Sequence, residues 1–240
     1  MSAENPASPL DNPVWGSLNG AHRAFAEYAG SGAARYLLSA NPFAALADPE
    51  DPAAWADLAA LVGPGQEVWL TGLLTPPAGW ETVAVVPGVQ LDGRAVRVEH
   101  APDAVRLGPA DVEEMTALVK LTEPGPFLPR TVELGTYLGI RHEGRLVAMA
   151  GERMRPPGWT EISAVCTHPD FRGRGLAARL VRAVAAGIRD RGDLPFLHAA
   201  AANTGAVRLY ESMGFVLRRE PVFIGVRSPK AQRDDLRNTL

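Results

Sequence analysis

The segment 159–189 constrains the fold of this chain more than any other stretch. Residues 159–167 (WTEISAVCT) are rich in β-branched and aromatic types and predict a strand. Gly173 and Gly175 then indicate a tight turn, and apolar residues recur at helical spacing over 176–189. A strand, a glycine turn and an amphipathic helix in direct succession indicate a protein built on a mixed α/β sheet.

The rest of the chain extends this alternation of helices and strands. The predicted helices span 17–29, 52–61, 109–121, 176–189 and 204–213. The predicted strands span 67–71, 82–86, 95–99, 136–141, 146–153, 159–167, 194–200 and 222–226. Residues 1–16 are polar and rich in proline, and we expect them to form a loose arm. The predicted fold class is α/β, in the α+β sense of a mixed sheet flanked by helices.

Charge is divided unevenly along the chain. Residues 1–100 contain 11 acidic and 4 basic residues, whereas residues 101–240 contain 16 acidic and 20 basic ones, within a net charge of −3. We therefore expect an anionic ligand to bind to the second part. Residues 102–108 form the predicted joint. The predicted units are an N-terminal α/β region (1–103), a second domain (104–227) and a tail (228–240).

Composition and spacing argue against several classes of protein. The first 13 residues contain no basic cluster and no apolar run reaches about 18 residues, so we expect a cytoplasmic protein without a signal peptide or membrane contact. The basic excess is too small for a nucleic-acid-binding domain. Cys166 is the single cysteine, so a disulfide framework is excluded. No metal is expected, because the five histidines lack paired spacing; they are His22, His100, His142, His168 and His198.

The glycine turn has the composition of an anion site. Small residues let backbone N–H groups approach phosphate oxygens, and the start of a helix adds partial positive charge. Arg172 and Arg174 add formal charge beside Gly173 and Gly175. A plain tight turn is the alternative. Neither a GxxxxGK[ST] nor a GxGxxG pattern is present, so the Walker and Rossmann types of phosphate site are excluded.

Two motifs resemble a known family. Residues 172–177 (RGRGLA) match the R/Q-x-x-G-x-G/A signature of the GCN5-related N-acetyltransferases (GNAT), which bind acyl-coenzyme A. Residues 203–215 (NTGAVRLYESMGF) resemble the second signature of that family, and residues 161–177 are most similar to its FR47-like group. The resemblance covers about residues 105–227. It implies a mostly antiparallel GNAT sheet flanked by helices, with residues 1–103 as a degenerate copy of the same fold.

The resemblance also implies an acyl-CoA site at the strand and the turn. In the family, backbone N–H groups of the turn hold the pyrophosphate, while the preceding strand splays and frees main-chain groups for the pantetheine arm and the thioester carbonyl. Asn203 is implied on the pantetheine arm, with helix N-capping as the alternative. The implied cofactor-binding residues are Val165, Cys166, Thr167, Arg172, Gly173, Arg174, Gly175, Leu176, Ala177, Ala178, Asn203 and Tyr210.

Glu161 is the implied general base. It lies eleven residues before Arg172, which is the spacing of the catalytic glutamate in histone-acetylating members of the family. A carboxylate that is partly desolvated on a sheet can accept a proton from the attacking amine. The alternative is an ion pair with an arginine such as Arg153. Glu152 and His198 are the further acid–base candidates.

Tyr210 is the implied general acid. It matches the tyrosine that protonates the departing thiolate in many family members, and the alternative is packing beneath Gly214 and Phe215. Cys166 could instead act as an acyl-carrying nucleophile, but free cysteine is more often a small buried apolar residue. His168 is expected to be structural.

The resemblance implies an acyl-CoA-dependent N-acyltransferase that transfers acetyl from acetyl-CoA to a primary amine by direct attack in a ternary complex. A small-molecule amine or amino acid is a more natural acceptor than a protein, and a monomer or homodimer is expected. Arg130 could meet an acceptor carboxylate, or it could be a solvated loop arginine. A non-catalytic acyl-CoA sensor or interaction protein is the competing class, because such a protein would retain the donor site alone.

Overall fold

The computed structural model describes residues 8–72 and 74–230. The first seven residues of the predicted arm and residues 231–240 of the predicted tail lie outside this part of the chain. The described residues form five α-helices: α1 (Pro13–Leu18), α2 (Pro52–Val62), α3 (Val112–Thr122), α4 (Leu176–Asp190) and α5 (Thr204–Ser212).

Twelve strands accompany these helices within the described residues. They are β1 (Ala26–Ala29), β2 (Ala33–Tyr36), β3 (Ala44–Leu46), β4 (Glu67–Gly72), β5 (Glu81–Asp92), β6 (Val105–Leu107), β7 (Tyr137–His142), β8 (Arg145–Glu152), β9 (Trp159–Thr167), β10 (Leu194–Ala200), β11 (Val216–Arg219) and β12 (Val222–Arg227).

Nine of the strands form one sheet in the order β4-β12-β5-β10-β9-β8-β7-β6, with β11 paired to β5. The β9–β10 pair is parallel and the other pairs are antiparallel, which confirms the predicted mixed, mostly antiparallel sheet. Strand β5 lies between β10 and β12, so the sheet contains strands from both sides of the predicted boundary at residues 103 and 104. That division of the chain, and the degenerate copy implied for its first part, stay predictions.

Helices cover both faces of this sheet because side chains of a strand alternate between the two faces. On β8, Ala148 and Ala150 pack in the cluster that includes α4, whereas Met149 packs with Met115 and Leu118 of α3. The large sheet therefore lies between α3 on one side and α4 on the other.

The apolar face predicted for helix α4 is buried in the structure. Leu180, Val181, Val184 and Ile188 are at most 1% exposed. Burying each such side chain contributes about 1.5–3 kcal/mol to the free energy of folding. The helix is held against the sheet by this stripe, so its first turn has a fixed position at the end of β9.

The predicted helix over residues 17–29 is wrong. Helix α1 begins earlier, at Pro13, because the Asn12 side chain caps it by accepting from Trp15 N at 3.3 Å. It ends at Leu18, and residues 26–29 pair with β2 as strand β1. Hairpin pairing with β2, which pairs in turn with β3, therefore overrides the local helical pattern.

The expectation of a loose arm is also wrong for residues 8–16. Leu10 and Val14 are at most 1% exposed and pack in the same cluster as Tyr36 and Phe196. The proline content of this segment does not loosen it, because Pro13 occupies the first turn of α1, where a missing N–H costs nothing.

Near the predicted joint, one predicted strand is wrong and one observed strand was not predicted. Residues 95–99 form no strand, because the chain turns at Gly93, where Val96 N donates to Gly93 O, and then buries Val96. The predicted joint at 102–108 contains β6, which pairs with β7 at the edge of the sheet. Strand β6 has only three residues, which gives too short a pattern for a sequence-based prediction.

Candidate active site

Strands β9 and β10 run side by side and then separate. Their parallel pairing covers Trp159 to Ile162 on β9 and Leu194 to Leu197 on β10. Beyond this point β9 continues to Thr167 while β10 continues along β5 to Ala200. The divergence leaves the last residues of both strands unpaired with each other, and a groove opens between them. This is the strand splay that the family resemblance implies.

A β-bulge lies on the β9 arm of the groove. The register with β8 shifts between Met149 and Gly151, which face Cys166 and Ser163 respectively. Ala164 has a φ of 51°, a left-handed conformation that is rare for a residue with a side chain. A bulge interrupts the regular ladder and redirects the backbone that follows, here residues 165–167.

The turn after β9 brings backbone amides to the same groove. Gly173 and Gly175 both have a φ of 74°, which favours glycine, and Gly175 is the N-cap of α4 without any side-chain cap. The first helical N–H bond joins Arg179 N to Gly175 O at 3.0 Å, so the N–H groups of residues 176–178 have no partner within the helix. Free amides at a helix N-terminus, together with the helix dipole, are chemically suited to an anion.

A cavity of about 510 Å³ lies over the splay and the turn. Of the twelve predicted cofactor-binding residues, eleven line it: Val165, Cys166, Thr167, Arg172, Gly173, Gly175, Leu176, Ala177, Ala178, Asn203 and Tyr210. Arg174 does not line it, and its guanidinium carbon lies 4.7 Å from the ring centre of Phe171. We call this cavity the donor groove.

Two polar side chains of the groove keep hydrogen-bonding capacity for a ligand. Asn203 caps α5, since its Oδ1 accepts from Ala206 N at 3.2 Å, and its amide nitrogen remains available. The Thr167 hydroxyl is buried and has no hydrogen-bond partner among the described residues. A buried unpaired hydroxyl is costly, so a ligand that pairs with it gains affinity.

Tyr210 and Cys166 are both protonated groups of the groove. Burial, and to a smaller extent the nearby Cys166, raises the pKa of Tyr210 to about 12. Burial raises the pKa of the Cys166 thiol to about 11, although a hydrogen bond with Thr122 opposes this. Tyr210 can therefore donate a proton at neutral pH, whereas the thiol is a poor nucleophile because only the thiolate attacks.

Glu161 forms an ion pair with Arg153, which was the alternative to a role as general base. Its Oε2 accepts from Arg153 Nε at 2.8 Å and its Oε1 from Arg153 Nη2 at 2.7 Å, and the carboxylate is fully buried. Burial alone would raise the pKa of Glu161, but the charge and hydrogen bonds of Arg153, with a hydrogen bond from His198, lower it to about 2. A carboxylate with so low a pKa is a weak base at neutral pH, which argues against the predicted role.

His198 is held by hydrogen bonds at both ring nitrogens. Gln90 Oε1 accepts from Arg218 at 2.7 Å, so the Gln90 amide nitrogen is the atom that donates to His198 Nε2 at 3.1 Å. His198 Nδ1 then carries the hydrogen that it donates to Glu161 Oε1 at 2.7 Å. With both nitrogens engaged, His198 is poorly placed to accept a substrate proton.

The remaining acid–base and carboxylate-binding candidates also have partners. Glu152 accepts from Arg191 at 2.6 Å and from Thr136 N at 3.1 Å. Arg130 forms an exposed ion pair with Glu133, so it matches the solvated loop arginine of the two alternatives. His168 caps the short helical turn at Pro169–Phe171, as a structural residue would.

Comparison with solved structures decides the family. A GNAT-family structure from Novosphingobium aromaticivorans is 44% identical, with a TM-score of 0.84, over 94% of this chain and all of that chain. The chain belongs to the GNAT family. A GCN5-related N-acetyltransferase from Kribbella flavida shares the fold at 20% identity, with a TM-score of 0.60 over 98% of this chain and all of that one.

Two further comparisons agree with this GNAT assignment. The family model described as FR47-like protein matches residues 137–224, which confirms the resemblance to the FR47-like group. Mycothiol acetyltransferase from Thermobispora bispora is 43% identical over 82 residues, 34% of this chain and 27% of that protein. RimI, an N-alpha-acetyltransferase of Mycobacterium tuberculosis, is 35% identical over 33% of this chain and 51% of its own. The chain thus spans about half or less of the length of these curated relatives.

The GNAT protein has a second cavity that the sequence analysis missed. It measures about 230 Å³ and lies beside the donor groove, with Pro124 in the wall of both. Phe43, Trp69 and Phe223 line it, and these residues lie far apart in the chain. No local motif connects them. Trp69 lies on β4 and Phe223 on β12 of the large sheet, whereas Phe43 directly precedes β3.

The sequence analysis also missed Glu123. It ends α3 with a φ of 48° and lines the donor groove. Pro124 and Gly125 predict that a helix ends just before them, so the sequence does indicate a charged residue at a helix C-terminus.

Residues 8–72 and 74–230 contain no group of three or more His, Cys, Asp or Glu side chains placed to hold a metal ion. None of the helices in these ranges has the length and apolar character required to cross a bilayer.

Proposed function

We propose that this GNAT protein is an acyl-CoA-dependent N-acyltransferase that transfers acetyl from acetyl-CoA to a primary amine in a ternary complex. The observation that carries this proposal is the donor groove itself. An open helix N-terminus and a bulged, splayed strand line a single cavity together with Tyr210.

The turn and the first turn of α4 would hold the pyrophosphate of the donor. The unpaired amides of residues 176–178 supply hydrogen bonds, and the helix dipole favours negative charge there. Arg172 lines the same cavity and adds a formal positive charge. Asn203 and Thr167 are suited to the amide groups of the pantetheine arm, since each keeps hydrogen-bonding capacity.

Acetyl-CoA supplies an activated thioester that a neutral amine can attack, with the CoA thiol as the leaving group. The bulged backbone at residues 165–167 would stabilise the oxyanion, because a preorganised N–H donor in a dry site lowers such a barrier by a few kcal/mol. Tyr210 would donate the proton that neutralises the departing thiolate. Its raised pKa keeps that proton in place until the thiolate forms.

Glu161 is better suited to positioning than to proton abstraction. It orients Arg153 through two hydrogen bonds and sets the tautomer of His198 through a third. Its lowered pKa keeps it ionised at neutral pH, so it stabilises these contacts throughout the catalytic cycle. The base role implied by the family resemblance stays a prediction.

Acetyl-CoA binding by isothermal calorimetry and thiol release with a set of primary amines test the proposal. Ala178→Glu places a carboxylate among the amides, and we expect it to weaken acetyl-CoA binding by about 10-fold or more. Arg179→Gln is the matched control: it changes the charge of α4 by the same amount, but Arg179 contacts Asp103 outside the groove. We expect the control to bind acetyl-CoA within about two-fold of the parent.

Equal binding by the parent and Ala178→Glu would contradict the donor site. Acetyl-CoA binding without thiol release on any amine would contradict the enzyme and favour an acyl-CoA sensor.

A further inference from the structure

The second cavity has the position of a co-substrate site beside the donor groove. Strand β10 supplies His198 to its lining, whereas the β9 arm of the splay lines the donor groove. Pro124 separates the two spaces and belongs to both linings. A molecule in the second cavity is therefore a neighbour of a molecule in the groove.

The walls of the second cavity are mainly apolar, and four of the eleven lining residues are aromatic. Phe43 and Phe223 lie with ring centres 5.8 Å apart, and Phe223 and His198 with ring centres 5.6 Å apart. Trp69 completes the aromatic wall. Such a lining favours an apolar body, in particular a ring that can stack edge-to-face. The volume, about 230 Å³, limits that body to one or two rings or a branched aliphatic group.

Arg153 gives this apolar space one strong hydrogen-bond donor. Its Nε and Nη2 are used by Glu161, and its guanidinium carbon lies 5.3 Å from the ring centre of Phe43. Its Nη1 has no hydrogen-bond partner within residues 8–72 and 74–230, yet it is not among the fully buried unpaired atoms. Because Arg153 lines the cavity, Nη1 is available to an occupant. A carboxylate is the acceptor that a guanidinium binds most strongly.

The charges around the cavity favour an occupant without net charge. Arg153 and Glu161 neutralise each other, and the hydrogen bonds of His198 select a neutral tautomer. No Asp or Glu among the described residues lines the cavity, so a second cationic group on the occupant would lack a partner. A zwitterion, whose carboxylate meets Arg153, satisfies both conditions.

Glu123 supplies the complementary charge on the groove side of Pro124. It lines the donor groove and forms no ion pair among the described residues. An ammonium group that reaches past Pro124 therefore meets a carboxylate in the wall of the donor groove.

We propose that the second cavity binds an apolar α-amino acid, with its side chain among Phe43, Trp69 and Phe223 and its carboxylate on Arg153. The inference rests on the proposed function, because the α-amine of this amino acid is the acetyl acceptor. The new bond joins the α-nitrogen to the acetyl carbon, and the carbon–sulfur bond of the thioester breaks. The α-ammonium gives up two protons. Glu123 accepts the first and passes it to water, which leaves the neutral amine that attacks. Tyr210 gives its proton to the departing thiolate, and the second proton of the nitrogen returns to the Tyr210 phenolate, so that one proton is released for each amide and CoA thiol formed.

Matched amines test the substrate class with the full chain and acetyl-CoA. We expect L-phenylalanine to exceed 2-phenylethylamine, and L-leucine to exceed 3-methylbutylamine, by about 10-fold or more in kcat/KM. L-Lysine and spermidine should react poorly because they bring unpaired positive charge. Equal or better turnover of the amines that lack a carboxylate would overturn the inference while leaving the proposed function intact.

Two variants locate the site. Arg153→Met combined with Glu161→Gln removes the ion pair without leaving a buried charge, and we expect it to abolish the preference for L-phenylalanine over 2-phenylethylamine. Arg130→Gln, which breaks the exposed pair with Glu133, is the control and should keep that preference. An unchanged preference in the double variant would overturn the role of Arg153.

A binding measurement separates this inference from the donor chemistry. Val86 lines the cavity and is 37% exposed, so Val86→Trp can fill the cavity without disturbing the core. We expect ligand-observed NMR to detect L-phenylalanine bound to the CoA-loaded parent protein and not to Val86→Trp. Equal binding to both, or to neither, would overturn the inference, whereas failure of acetyl-CoA to bind would overturn the proposed function.

Discussion

Arg153 and Glu161 form a bidentate ion pair, with donor–acceptor distances of 2.8 and 2.7 Å, at the boundary between the sheet and the second cavity. Glu161 is fully buried and Arg153 is 8% exposed. The Glu161 carboxylate also accepts a hydrogen bond from His198. It therefore pairs with two side chains that line the cavity, those of Arg153 and His198. The main consequence of the ion pair is that Glu161 serves as the counter-charge of Arg153, whatever further role it has.

The ion pair gives a prediction for stability. Glu161→Gln leaves the buried Arg153 charge uncompensated and should lower the free energy of unfolding by about 3–5 kcal/mol. The double variant with Arg153→Met should recover most of this loss, because no unpaired charge remains. Urea denaturation measures both. A single variant as stable as the parent would show that the pair contributes little.

The same pair gives a prediction for pH dependence. The pKa of Glu161 is lowered to about 2, so its contribution to stability is present above the pKa of an unfolded glutamate, about 4.3, and is lost as the pH falls toward about 2. We therefore expect the parent to lose stability relative to the double variant, which lacks this carboxylate, as the pH falls through this acidic range. Because Glu161 stays ionised near neutrality, it should add no limb to the pH–rate profile between about pH 6 and 9. A limb that disappears in Glu161→Gln would restore its role as base.

The sequence predicted the site best where the determinants are local. Strand β9, the turn at Gly173 and Gly175, and helix α4 follow one another directly, so pattern and turn chemistry suffice to predict them. The ion pair of Glu161 was one of two alternatives. The sequence could not decide between them, because Arg153 is eight residues away and its direction depends on the pairing of β8 with β9.

The second cavity could not be predicted in the same way. Phe43, Trp69 and Phe223 meet only because β12 pairs with β4 and the segment at Phe43 bridges to Trp69. Such contacts depend on sheet order, which a single sequence does not reveal. The three-residue strand β6 was missed for a related reason, since it is stabilised by its pairing with β7, which is far from it in the chain.

Tyr210 should affect catalysis more than binding. Tyr210→Phe removes the proton donor while retaining the ring that packs near Phe215, so kcat should fall by about 100-fold and the KM for acetyl-CoA should change by less than about three-fold. Tyr28→Phe is the control, because the Tyr28 hydroxyl donates to Leu18 O away from the groove. Steady-state thiol release measures both variants, and parent-like turnover in Tyr210→Phe would remove its acid role.

Cys166 should be dispensable for acyl transfer. Its thiol has a pKa of about 11 and is 6% exposed, so little thiolate forms at neutral pH. We expect Cys166→Ala to retain kcat within about three-fold and the parent to react slowly with iodoacetamide. Because Cys166 is the single cysteine, the mass of the labelled protein reports this thiol alone. Loss of turnover in Cys166→Ala, together with an acylated parent in the absence of amine, would indicate a covalent intermediate.

Glu123 should show opposite effects on stability and on activity. It ends α3 in a left-handed conformation, with a φ of 48° and ψ of 51°, that glycine adopts without strain. Glu123→Gly should therefore raise the free energy of unfolding by about 1 kcal/mol, while Glu123→Gln should leave it nearly unchanged.

Both variants remove the carboxylate, so both should lower kcat/KM for the amine by about 10-fold or more with little change in acetyl-CoA binding. Glu113→Gln, a substitution in the first turn of α3, is the control for a lost negative charge on the same helix. If kcat/KM for the amine is the same in Glu123→Gly, Glu123→Gln and the parent, the carboxylate plays no part in proton transfer. The proton of the amine then leaves by another route.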